Sequence, residues 1–193
     1  MEVDEPRLSN EEIAALARRI DRPIVLVGMM GVGKSSVGRK LAAALGLPFV
    51  DADDAIEEAA QMTIAEIFAT YDEAYFRDGE RRVIGRLMEG AHGERPRVIA
   101  TGGGAFVNDQ TRALILEKAI AVWLDSDVDT LLERVGRTDK RPLLRNGDPR
   151  EILTRLRAER EQFYRQAPIK VMSCPGPHSR TLNKVLKGID EWL

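Results

Sequence analysis

The chain is predicted to be an α/β domain built on a parallel sheet, and three observations lead there. Five short apolar runs, at 24–28, 48–51, 97–101, 119–124 and 169–173, suit buried strands. Segments of helical periodicity alternate with them, a pattern that implies right-handed crossovers and a sheet covered on both faces. Between the first run and the next helix lies Gly28-Met29-Met30-Gly31-Val32-Gly33-Lys34-Ser35, a complete G-x-x-x-x-G-K-[ST] loop. Ligands of such sheets bind beyond the carboxyl ends of the strands. The other strand ends are therefore where partners of this loop are expected.

Composition narrows the function classes. A length of 193 residues is one domain, or one domain with a short appendage. With 44% apolar and 31% charged residues the chain is globular rather than disordered. A formal net charge of −2 gives no general reason to expect nucleic-acid or anionic-membrane binding. The single Cys174 excludes an intrachain disulfide and fits a reducing compartment. There is no run of 18 or more apolar residues, and the acid-bearing N-terminus with Pro6 does not read as a signal peptide. The expected location is cytoplasmic.

In chain order, residues 1–22 form an N-terminal helical extension outside a catalytic unit at 23–193. Ser9 with Glu12 reads as a capping box, and Ile13, Leu16, Ala17 and Ile20 follow at helical spacing. In the phosphate-binding loop, glycines let the backbone take positive φ and turn successive N–H groups inward. Gly31, Val32, Gly33, Lys34, Ser35 and Ser36 are the candidate nucleotide contacts, helped by the N-terminus of the following helix. Lys34 is expected to reach the β- and γ-phosphates and Ser35 to hold Mg²⁺. Val37, Leu41, Ala44 and Leu45 give that helix its periodicity, and Gly46 is its expected C-cap. A dinucleotide-binding turn is the nearest alternative, but it has no use for a lysine aimed at a terminal phosphate.

Asp51 and Asp53 are expected to end the second strand with both carboxylates on one face. One could order Mg²⁺ through water and the other accept a hydrogen bond from an acceptor hydroxyl. Helix capping by Asp53 or Asp54 competes with that reading. After the third strand, Thr101-Gly102-Gly103-Gly104-Ala105 either brings a substrate close to the backbone or makes a tight turn. Arg77 shares a helical stripe with Ile84 and Leu87, with Glu80 three residues on; Arg160 lies on the stripe of Leu156, Phe163 and Tyr164. An inward arginine needs an anion, from the protein or from a ligand. Two such arginines could grip a carboxylate with forked geometry that lysine lacks. Arg134, Arg137, Lys140 and Arg141 flank a stretch, 136–147, that reads as a mobile loop. A kinase needs a lid bringing positive charge over the transferring group, and Arg141 beside Pro142 fits that task. Asp148-Pro149 with Glu151 starts the next helix, and an amphipathic helix through Leu182, Val185, Leu186, Ile189 and Leu193 closes the chain. His92 and His178 lack ligand spacing and are given no role.

Taken together, the loop at 28–35, Asp51-x-Asp53, Ile64-Ala-Glu-Ile-Phe68, Phe76-Arg77 with Glu80, Gly102–Gly104, Arg141-Pro-Leu-Leu144 and Arg160 with Tyr164 resemble the shikimate kinase family from about residue 24 to 172. The resemblance implies a three-layer P-loop kinase fold, with five parallel strands in the order 2-3-1-4-5 and a lid at about 136–148. It implies transfer of the ATP γ-phosphoryl group to the 3-hydroxyl of shikimate in aromatic amino-acid biosynthesis. Asp53 would match the family's hydroxyl-binding aspartate and candidate base. Arg77 and Arg160 would match the carboxylate grip beside Gly102, Gly103 and Gly104. Arg134 would match the arginine packed on adenine, Arg141 the lid arginine, and Asp51 part of the Mg²⁺ water shell. The implied partners are ATP and shikimate, for a monomer that engages neither nucleic acid nor membrane. The N-terminal helix lies outside the usual family core, and residues 173–180 do not align cleanly with the family's adenine-binding loop. The alternatives are a gluconate kinase-like enzyme of the same fold and a non-catalytic ATP-binding module.

Overall fold

A computed structural model describes residues 7–90, 93–137 and 146–193. Five strands, β1 (Ile24–Val27), β2 (Phe49–Asp51), β3 (Val98–Ala100), β4 (Ile120–Asp125) and β5 (Ile169–Met172), form one sheet in the order β2-β3-β1-β4-β5. Every pairing is parallel. The expected strand order is therefore observed. Strands β1, β3 and β4 are buried along their whole length, as a sheet covered on both faces requires. Edge strand β5 instead alternates buried and exposed side chains.

The helices are α1 (Asn10–Arg19), α2 (Lys34–Leu45), α3 (Ala52–Ala60), α4 (Ile64–Thr70), α5 (Glu73–Glu89), α6 (Asp109–Lys118), α7 (Val128–Gly136), α8 (Pro149–Tyr164) and α9 (His178–Trp192). Their ends follow local chemistry. Ser9 and Glu12 form the expected capping box of α1, and Thr63 with Glu66 makes a second one on α4. Asp148 caps α8 with Pro149 in its first turn. Gly46 ends α2 in the left-handed conformation, its N–H bonding back to Ala42 and Ala43. Along α2, Val37, Leu41, Ala42 and Leu45 are buried, whereas Ala44 is exposed. The buried arc runs from Val37 through Leu41, Leu45 and Gly38 to Ala42, and Ala44 falls just outside its Val37 edge.

Helix α1 docks on α2. Its Leu16, 1% exposed, and the following Ile20 belong to the same apolar cluster as the sheet. Arg19 of α1 also pairs with Asp190 of α9 at 2.5 Å. A smaller cluster of Ile56, Ile67, Phe76 and Val83 holds α3, α4 and α5 together beside the β2 edge.

Candidate active site

The phosphate loop has the conformation its glycines allow. Gly28, Gly31 and Gly33 have φ of 139°, 79° and 99°. A Cβ on Gly28 would stand 2.2 Å from the Leu124 carbonyl oxygen, so strand β4 passes too close for any side chain there. Lys34 opens α2 and is 9% exposed. Its Nζ donates to the carbonyls of Gly28 and Met29 at 2.7 and 2.8 Å, which holds the ammonium inside the curl of the loop.

Ser35 and Asp51 meet at once: Ser35 Oγ donates to Asp51 Oδ2 at 2.5 Å. The other Asp51 oxygen accepts from the Asp53 backbone N–H at 3.1 Å and caps α3. The cap of this helix is thus Asp51, not Asp53 or Asp54. Strand β2 stops at Asp51, and Asp53 reaches the cleft from the first turn of α3 rather than from the strand. Both carboxylates line the cleft with the phosphate loop. Burial, reinforced by Asp51 and offset by Lys34, raises the Asp53 carboxyl above its ordinary value.

The triple glycine follows β3 and leads into a 3-10 turn at Ala105–Val107. Each glycine makes room for a named group. A Cβ on Gly102 would lie 2.9 Å from Asp53 Oδ1, on Gly103 3.2 Å from an Arg160 terminal nitrogen, and on Gly104 2.3 Å from one of Arg77. The bare backbone is where Asp53, Arg160 and Arg77 converge from three helices. Arg77 is oriented by Glu80 at 2.7 Å, whose side chain is 2% exposed. Burial raises the Glu80 carboxyl, against the pull of Arg77. The Tyr164 hydroxyl donates to the Gly103 carbonyl at 2.5 Å and ties α8 to the turn. Arg77, Gly104 and Arg160 line one recess of 580 Å³. The adjoining cleft of 700 Å³ joins the phosphate loop, Asp51, Asp53 and the first two glycines.

On the far side of the phosphate loop, Arg134 of α7 donates to the carbonyls of Val32 and Cys174, each at 2.9 Å, and to Ser173 Oγ at 3.0 Å. These bonds fix its guanidinium as a wall of the cleft. Val32 is fully buried and contributes through that carbonyl, while Gly31, Gly33 and Ser36 line the cleft directly. Arg141 and Lys140 lie outside the described residues, as does His92. Sequence reasoning missed His178. It opens α9 and lines the cleft, with Cε1 3.0 Å from where a Gly33 Cβ would be. Burial, then Arg134 and Lys40, lower its pKa. Only the open space over Gly33, invisible in one dimension, brings it there.

The shikimate kinase family model matches residues 30–189. The chain belongs to the shikimate kinase family. A shikimate kinase of Novosphingobium aromaticivorans is 65% identical over all 193 residues, covering the whole of both chains. The shikimate kinase of Acinetobacter baumannii, solved in complex with shikimate, superposes with a TM-score of 0.76 at 32% identity, over 95% of this chain and 96% of that one. A gluconokinase of Sinorhizobium meliloti matches at 0.59 and 19% identity, over 91% of this chain and 95% of that one, and shares the fold alone. As a member of the shikimate kinase family the chain is an ATP-dependent phosphotransferase. No helix among the described residues is long and apolar enough to cross a membrane.

Proposed function

We propose that this chain transfers the γ-phosphoryl group of ATP to the 3-hydroxyl of shikimate. The observation that carries the reading is the convergence of one carboxylate and two arginines on a bare glycine backbone beside the phosphate loop. The triphosphate fits the loop's inward N–H groups, and Lys34 follows charge onto the β- and γ-oxygens. Arg134 forms a flat face for the adenine. Arg77 and Arg160 grip the acceptor carboxylate, which orients the ring so that its hydroxyl points to Asp53. The hydroxyl oxygen bonds to the γ-phosphorus as the bond to the ADP oxygen breaks, and the hydroxyl proton passes to Asp53. A carboxyl with a raised pKa is the better acceptor for that proton. The family resemblance gives Arg141 the charge that builds on the transferring group.

Ser35 and Asp51 fit a Mg²⁺ site: both are hard oxygen donors at one spot next to the phosphates. Among the described residues no group of three or more His, Cys, Asp or Glu could hold a metal unaided. Ser35 would hold the ion directly and Asp51 would hold it through its water shell, where it would neutralise phosphate charge. Asp51→Asn is therefore expected to raise the Mg²⁺ concentration needed for half-maximal rate, while Asp53→Asn leaves it unchanged.

ADP release measured by coupled assay against shikimate, gluconate, AMP and no acceptor tests the whole reading. Turnover is expected with shikimate alone. Equal turnover with gluconate would move the assignment to a broader hydroxy-acid kinase, and no turnover with any acceptor would make this a non-catalytic ATP-binding module.

A further inference from the structure

A second cavity, of 650 Å³, lies on the other side of α5 from Arg77 and shares none of the catalytic cleft's residues. Its two ends differ in chemistry. Toward α3 and α4 it opens on Ile56, Ile67, Phe76 and Val83, the smaller apolar cluster. Toward α6, where Gly85 faces Leu114, it is lined by Arg81, Arg82 and Arg86.

The arginines carry surplus charge. Arg81 and Arg82 share one carboxylate, Asp78, at 2.7 and 3.1 Å. Arg81 Nε is buried without a hydrogen-bond partner among the described residues. Arg86 makes no ion pair among them. The one acid on the rim, Glu89, is paired with Lys118. Three guanidinium groups with so few carboxylates beside them favour an anion at this end of the cavity.

Gly79 gives an independent sign. It sits inside α5, where glycine weakens a helix. A Cβ there would meet nothing within 4 Å, so no packing demand explains the glycine. Its absent side chain keeps the cavity open over the helix.

We propose that this cavity binds a small aromatic carboxylate. The apolar body lies against Phe76 and the α3–α4 side, and the carboxylate meets the arginines. A cavity of 650 Å³ has room for a rigid body of about two rings.

Titration of the ¹⁵N-labelled full chain with 2-naphthoate, followed by amide chemical shifts, tests this. Saturable shifts are expected at Gly79 and Gly85, with 2-naphthamide binding roughly tenfold or more weakly. Gly79→Leu fills the cavity and should abolish binding. Arg86→Gln, at an exposed side chain, should weaken it roughly tenfold. Shifts confined to Gly102–Gly104 would assign the probe to the catalytic cleft and overturn the proposal. Equal binding of the neutral amide, or undiminished binding by either variant, would overturn it as well.

Discussion

At the scale of single residues the site is a set of charges held in unfavourable company. Lys34 spends its donors on the loop's own carbonyls. On the proposed function its loss removes one transition-state donor, and Lys34→Ala is expected to lower kcat by roughly a hundredfold or more. Steady-state rates at saturating ATP check this. Asp53 pays for its position in stability. Its pKa is raised in the folded state, so the native protein holds the proton more tightly than the unfolded chain does. Stability from this group is therefore greatest below the unfolded value and falls as pH rises through the raised folded value. Asp53→Asn removes that penalty, so at pH 7 the variant should melt higher than the parent while transferring phosphate far more slowly. Melting curves at pH 7 and pH 4 should show the two proteins drawing together at the acid end. A variant that melts lower at both pH values would mean that Asp53 is a structural partner rather than a strained catalytic one.

At the scale of elements, the triple glycine matters for what it lets other elements do. Asp53 comes from α3, Arg77 from α5 and Arg160 from α8, and no two share a local segment. Gly104→Ala would put a methyl group on the Arg77 guanidinium. It should raise KM for the acceptor and leave ADP affinity intact, measured by calorimetry. Arg77→Ala should weaken acceptor binding roughly ten- to hundredfold, since charge-assisted hydrogen bonds contribute about 1.5–3 kcal/mol each. Arg77→Lys should recover little, because a point charge lacks the guanidinium fork. An acceptor analogue with a neutral group in place of the carboxylate separates roles: it should bind parent and variant alike. Much of this was legible beforehand. The motif order marked the loop, the glycines and the inward arginines. The helical origin of Asp53 was not, because Asp51 both ends β2 and caps α3, and a two-residue spacing reads equally well as strand.

At the scale of the whole molecule, α1 is tied into the main apolar cluster through Leu16 and Ile20. Leu16→Ala should cost about 2–5 kcal/mol of unfolding free energy, the usual range for a fully buried leucine. Denaturant unfolding measures it, and ADP affinity of the folded fraction should stay unchanged because no residue of α1 lines the cleft. A loss under about 0.5 kcal/mol, typical of surface positions, would show α1 to be a loosely attached appendage.

The sequence by itself determined the alternation of strands and helices, the phosphate loop and the caps, because each rests on chemistry within a few neighbouring residues. Glycine conformations, side-chain capping and apolar period are local physics. Only the tertiary structure decided which long-range neighbours those residues acquire. It set Arg134 against Val32 and Cys174, put His178 over Gly33, and made Asp51 the partner of Ser35. It also opened a cavity behind α5, where the same arginines would read as solvated surface charge. Such contacts join segments 16 to 145 residues apart, and their energies depend on burial that no local pattern encodes.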